Sequence, residues 1–319
     1  MTDTPAPLYF DCDTGIDDSL ALAYLLASPE IALRGIGTVS GNTSAAQAAR
    51  NTLGLLSLAE RDDVPVAVGR HDFLTHGYDG GAPHVHGDDG VGGVALPEPA
   101  RAVEDGTAAD LLIRLSHEHA GSLEVLAVGP LTNLAAALEQ DPTLPTRIAR
   151  VTLMGGAALV PGNITALAEA NIGNDPEAAD AVFAAGWPVV VVPLDVTMEN
   201  VFEEAHRDLL ATSGSPVARA VAAMLDFYMD FYRATYGRRC SALHDPLAAA
   251  IAVGRVRPTV APAVPAVVDT TDGPGRGQTV FDLRGQRQGA RDHDGATVRV
   301  VLSTDAPLAD HLAERVAGM

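Results

Sequence analysis

Short apolar runs rich in β-branched residues recur along this chain, each followed by a polar turn and a stretch rich in alanine and leucine. PLYFDCD, ALRGIGTVS, VPVAV, LEVLAVG, RVTLMGG and PVVVVPLD read as strands. IDDSLALAYLLAS, the stretch from Ala45 to Ala59, TAADLLIRLSHEH, LTNLAAALEQ and DPEAADAVFAAG read as helices between them. A strand that is apolar along its whole length has no face to give to water. Such strands, alternating with helices, predict an α/β fold: a mostly parallel central sheet with helices on both faces. The later chain is more helical, from Glu203 through Tyr236 and again over HDPLAAAIAV. Two strand-like segments, TVAPAVPAVVD and ATVRVVLST, and an amphipathic C-terminal helix close it. No stretch has the composition of an interdomain linker, so residues 1–319 are expected to form one domain. HDFLTHGYDGGAPHVHGDDGVGG reads as a long functional loop.

Charge narrows the partners. A formal charge of −20 repels phosphate backbones and anionic membranes and favours a cation. All 21 basic residues are arginine, which removes lysine Schiff-base chemistry and a P-loop lysine together. Cys12 and Cys240 form no disulfide framework. MTDTPAPLYF lacks the charged and long apolar regions of a leader, and no apolar segment reaches spanning length unbroken. A soluble cytoplasmic protein, binding neither nucleic acid nor membrane, is expected.

In open parallel sheets ligands bind beyond the carboxyl ends of the strands. The first strand ends there in acid: Asp11, Asp13, Asp17 and Asp18 crowd into LYFDCDTGIDDSLALAYLL. Asp17 and Asp18 in a first helical turn are accounted for by the helix dipole. Asp11 and Asp13 are not, whereas a hard cation taking about 6–8 oxygen ligands would use them. The spacing is wrong for an EF-hand. Far along the chain, His244 and Asp245 open an apolar helix, where an N-cap and a structural histidine are the plainer explanation. Asn163, Glu169 and Asn171 in PGNITALAEANIGNDPEAA suit sugar hydroxyls or turns equally. Tyr228, Tyr232 and Tyr236 recur every four residues and share one helix face, fit for core packing or for a ligand.

Taken in order, these segments resemble the inosine–uridine nucleoside hydrolase family. Its signature D-x-D-P-G-x-D-D stands here as DCDTGIDD, with Thr14 in the proline position. The likeness continues through TVSGN, HVHG, VGPLTN, LMGGA, GNITALAEANI with NDPEAA, PLDVT and HDP, along nearly the whole chain. The resemblance implies hydrolysis of a nucleoside N-glycosidic bond through an oxocarbenium-like sugar. It implies a Ca2+ held by Asp13, Asp18, the Val128 carbonyl and Asp245, with Asp13 also accepting the proton of the attacking water. Asp17, Asn42 and Asn171 would meet the 2′- and 3′-hydroxyls, Asn163 and Glu169 the 5′-hydroxyl, and Met154 the ribose. His244 is the implied acid for the leaving base, since histidine titrates near neutrality. His86, Tyr228, Tyr232 and Tyr236 would face the base, and His84 is left on the surface. A homodimer or homotetramer is implied as well. Ala170 departs from the family, many of whose members carry phenylalanine there.

Two other readings compete. DxD after an apolar strand also opens haloacid-dehalogenase-type phosphatases, with Mg2+, Asp11 as nucleophile and Asp13 as acid. Gly15 and the missing lysine fit that pattern poorly. A catalytically impaired, Ca2+-dependent nucleoside-binding protein would keep the ligands, but Asp13 together with His244 argues for catalysis.

Overall fold

The computed structural model describes residues 4–99 and 101–319. Met1–Asp3, the start of the stretch read above for a leader, lie outside the described residues. The central sheet is built from β1 (Ala6–Cys12), β2 (Ile31–Thr38), β3 (Val66–Val68), β4 (Leu123–Ala127), β5 (Ile148–Met154), β6 (Val189–Val192) and β7 (Val298–Val300). Its seven strands run in the order β7-β6-β5-β4-β1-β2-β3, and every neighbouring pair is parallel.

Period-two alternation sorts the strand side chains into two cores. Leu8, Phe10 and Cys12 of β1 and Leu126 of β4 enter one of them. That core is closed by α1 (Ile16–Leu26), α2 (Ala45–Leu58), α6 (Pro216–Tyr236), α7 (His244–Ala252) and α8 (Ala309–Ala317). Tyr9, Val125 and Ala127 face the other way, under α3 (Ala108–Glu118), α4 (Thr132–Gln140) and α5 (Pro176–Ala184). Helices therefore cover both faces, as the apolar strands require.

Three boundaries differ from the sequence reading, each for a local reason. The helical stretch from Glu203 is cut into Glu204–Ala211 and α6, because Ser215 caps α6 by accepting from the Ala218 N–H at 3.2 Å and Pro216 occupies its first turn. TVAPAVPAVVD yields two short strands, Pro258–Val260 and Ala266–Val268. Pro262 and Pro265 have no N–H with which to continue one ladder. ATVRVVLST divides between β7 and Ser303–Thr304, which pairs antiparallel with Pro258–Val260. No described helix is long and apolar enough to cross a membrane.

Strand order reverses between β1 and β4. A crevice opens beyond the carboxyl ends of two such strands, because their crossover helices lie on opposite faces of the sheet.

Candidate active site

At this reversal Asp13 leaves β1, Asn42 follows β2, Val128 follows β4 and Met154 ends β5. α1 and α7 pack against each other and bring their first turns to the same place. The first turn of α1 carries Asp17 and Asp18, and that of α7 carries His244 and Asp245. Residues more than two hundred positions apart thus share one centre.

Carboxylate oxygens of Asp17, Asp18 and Asp245 lie within 4.8 Å of one another, all three residues buried. Asp18 accepts from the backbone N–H of Asp13 (3.1 Å) and Gly15 (2.8 Å) and from Asn42 Nδ2 (3.1 Å). Asp13 Oδ2 accepts from the Asn42 N–H at 2.6 Å. Asp13 Oδ1 and Asp17 Oδ1 are buried without a hydrogen-bond partner. Gly41 and Gly129 allow Asp13 this position, since a Cβ on Gly41 would stand 2.0 Å from Oδ2 and one on Gly129 2.9 Å from Oδ1. Burial first, and a neighbouring acid second, push Asp13 and Asp245 well above the carboxylate range and Asp18 up to about 7. Buried acids with unpaired oxygens, and no arginine among the residues lining the adjoining cavity, fit a missing positive charge. An all-oxygen donor set suits a hard divalent cation rather than zinc.

Of the expected ligands, Asp18 and Asp245 fall in this group, and Asp13 is tied to Asp18 through its backbone N–H. Asp17, expected on the sugar, stands among the acids. The Val128 carbonyl accepts from Asn171 Nδ2 at 2.7 Å. Asp11 has another place: its carboxylate accepts from Tyr9 Oη at 2.9 Å and from Asn133 Nδ2 at 3.1 Å. It is fully buried and both its oxygens already accept hydrogen bonds, which argues against a phosphatase-type nucleophile there.

The cavity beside the acids has a volume of about 380 Å³. Asp17, Asn42, His86, Val128, Met154, Asn163, Glu169, Asn171, Tyr228, Tyr232, His244 and Asp245 all line it. Asp13 and Asp18 are not among the lining residues, but Asn42, which is, hydrogen-bonds to both. Glu169 caps the short helix Ala170–Asn174, accepting from the N–H groups of Asn171 and Ile172, and also binds the Gly156 N–H. Burial raises its carboxyl to about 7. Asn163 Oδ1 accepts from the Ala170 N–H at 2.9 Å.

The aromatic wall is a hydrogen-bonded series. Tyr228 Oη donates to Asp17 Oδ2 at 2.8 Å, and Tyr232 Oη lies 2.6 Å from His244 Nε2. His244 Nδ1 in turn lies 2.8 Å from Thr197 Oγ1. His86 Nδ1 accepts from the Ile16 N–H at 3.1 Å, so its neutral ring carries the proton on Nε2. Burial holds both histidines below the usual imidazole range.

Tyr236 departs from expectation. It does not line the cavity, and its hydroxyl donates to the Met198 carbonyl at 2.8 Å, bracing a residue that does. His84 is exposed, as the sequence reading expected, and also stands at the cavity's rim with its ring edge-on to Phe231. Ile164, Met198, Phe231 and Thr235 also line the cavity and were missed. Helical spacing could have found two of them, since Phe231 and Thr235 each follow a wall tyrosine by three residues. A larger depression of about 740 Å³ opens near the amino ends of β5 and β6, but its Arg150, Arg257 and Arg299 are each paired with an acid.

Comparison with known proteins gives the same assignment. The family model described as inosine-uridine preferring nucleoside hydrolase matches residues 8–309. The pyrimidine-specific ribonucleoside hydrolase RihA of Salmonella enteritidis is 41% identical over 241 residues, 75% of this chain and 77% of that protein. A purine-preferring ribonucleoside hydrolase from Gardnerella vaginalis superimposes with a TM-score of 0.89 at 34% identity, covering 98% of both chains. The plant nucleoside hydrolase PpNRh1 gives 0.87 at 32% identity, again over 98% of both. The matched span, residues 8–309, takes in the acid cluster and the cavity wall, and this chain is therefore an enzyme of the inosine–uridine preferring nucleoside hydrolase family.

Proposed function

We propose that the enzyme cleaves ribonucleosides to ribose and free base using a Ca2+ held by Asp13, Asp18, Asp245 and the Val128 carbonyl. The observation that supports this most is the meeting of buried acids from α1 and α7 beside a cavity with an amide-rich and an aromatic wall. When bound, such a cation lowers the pKa of water and grips vicinal hydroxyls. The side chains do the rest. Asp13 Oδ1, free of other partners, takes the proton of the attacking water, a contribution of about 10²–10⁴ in rate. Asp17, Asn42 and Asn171 face the 2′- and 3′-hydroxyls, and Asn163 and Glu169 the 5′-hydroxyl. Glu169, fixed by three backbone N–H groups, also steadies the positive charge that develops on the sugar.

Protonation of the leaving base runs through His244 and Tyr232. In the protonated form of His244, which burial makes the scarcer one, the Nε2 proton passes to the phenol oxygen as the phenol proton passes to the departing base nitrogen. The base leaves protonated, the phenol is restored and the ring is left neutral. The relatives named above differ in base class, and Ala170 leaves its place in the cavity wall without a large side chain.

Ribose release should be measured across purine ribosides, pyrimidine ribosides and p-nitrophenyl riboside. Asp13→Ala is expected to lose nearly all activity on every substrate. His244→Ala is expected to lose activity on natural nucleosides and far less on p-nitrophenyl riboside, whose leaving group needs no proton. Equal losses on all substrates would remove His244 from the acid role.

A further inference from the structure

Thr197 does not line the cavity and carries no charge, yet it touches the ring through which the leaving base is protonated. It is fully buried at the end of the short helix Leu194–Thr197. That helix is fixed without help from His244. The Leu194 N–H donates to the Gly156 carbonyl at 2.9 Å, and Asp195 accepts from the N–H groups of Ala158 and Leu159, each at 2.8 Å. Just beyond it, Tyr236 holds the Met198 carbonyl. The position of Thr197 Oγ1 is therefore set by the fold.

His244 has two hydroxyl neighbours, Thr197 at Nδ1 and Tyr232 at Nε2. A half-turn of the ring about its Cβ–Cγ axis would exchange Nδ1 with a carbon and Nε2 with another, and both bonds would be lost. A neutral imidazole has one donor and one acceptor nitrogen, so whichever nitrogen is pinned as donor decides the role of the other. We propose that Thr197 is a positioning residue for leaving-base protonation, its oxygen accepting the Nδ1 proton so that Nε2 remains the atom that exchanges a proton with Tyr232. The arrangement follows the general logic of a catalytic base oriented by a third group. This inference rests on the reading of His244 as the acid.

Two measurements test it. In the parent enzyme at pH 8, nitrogen-15 NMR of the histidine rings should find His244 protonated at Nδ1 and bare at Nε2. The opposite tautomer would overturn the proposal, and this readout needs no variant to fold. Then kcat and KM should be compared for Thr197→Val, Thr197→Ser and His244→Ala. Thr197→Val, which keeps the shape and removes the hydroxyl, is expected to lower kcat on natural nucleosides by about tenfold or more, a part of the roughly 10²–10⁴ that an acid–base group contributes. It should lose far less on p-nitrophenyl riboside, with KM little changed, and Thr197→Ser should recover most of the loss. A loss equal on both substrates, or one that serine does not rescue, overturns the positioning role. If His244→Ala itself loses equally on both, the acid assignment falls and this inference with it. If only Thr197→Val fails the pattern, the acid assignment stands and Thr197 alone is excluded.

Discussion

Asp13, Asp18 and Asp245 keep their carboxyl groups away from water and close to other acids, and this has a consequence for pH. Burial, then a neighbouring acid, raises all three above the ordinary carboxylate value of about 3.9, with Asp18 at about 7. From roughly pH 4 to 7 the folded chain therefore holds protons at these positions that the unfolded chain has released, and their contribution to stability falls as pH rises. A cation needs the ionised forms and must displace those protons. Burial lowers the imidazoles of His86 and His244 below their ordinary range, and any proton they carry at the lower pH would be displaced in the same direction, since a nearby cation disfavours their charged forms. The increase in thermal midpoint produced by Ca2+ is thus expected to be larger at pH 8 than at pH 6. Calorimetric scans with and without the ion would measure it, and equal increments at both values would mean that no protons are displaced.

The elements of the sheet hold the site through a few shared side chains, and Asn133 at the start of α4 is one of them. Its Nδ2 donates to Asp11 on β1 at 3.1 Å and to the Thr38 carbonyl on β2 at 3.0 Å, while its Oδ1 accepts from the Arg70 N–H at 2.9 Å beyond β3. Asn133→Ala would leave the buried Asp11 with Tyr9 as its remaining side-chain donor. An unsatisfied buried group costs about 1–3 kcal/mol, and a loss of that size in urea unfolding is expected. A change below about 0.5 kcal/mol, the range of an ordinary surface substitution, would show that this junction is not strained by the loss. Much of this level was legible in the sequence. Continuous β-branched runs such as PVVVVPLD can be satisfied only by a sheet covered on both faces, and the strand ends named themselves by their glycines and acids. The breaks at Ser215–Pro216 and at Pro262 and Pro265 were written in residues that cap or interrupt, but apolar pattern outweighed them in the reading. Asp11 was misplaced because four acids close in sequence look alike until strand alternation pairs it with Tyr9. Thr197 stood in PLDVT, one of the segments that carry the resemblance, but its role was invisible because its bond to His244 spans 47 residues.

For the molecule as a whole, the fold places the first turns of α1 and α7 at the reversal of strand order, so that acids far apart in the chain converge only when both helices are docked. On the proposed function, cation binding, base cleavage and native packing would be parts of one arrangement. Calcium-binding calorimetry at pH 8, on the parent and on Asp245→Asn, tests that claim most directly, with ribose release followed on the same samples. One ion bound per chain in the parent, and loss of both binding and ribose release in the variant, is the expected result. A parent enzyme that binds no stoichiometric calcium, or that keeps full ribose release after complete removal of divalent ions, would contradict it.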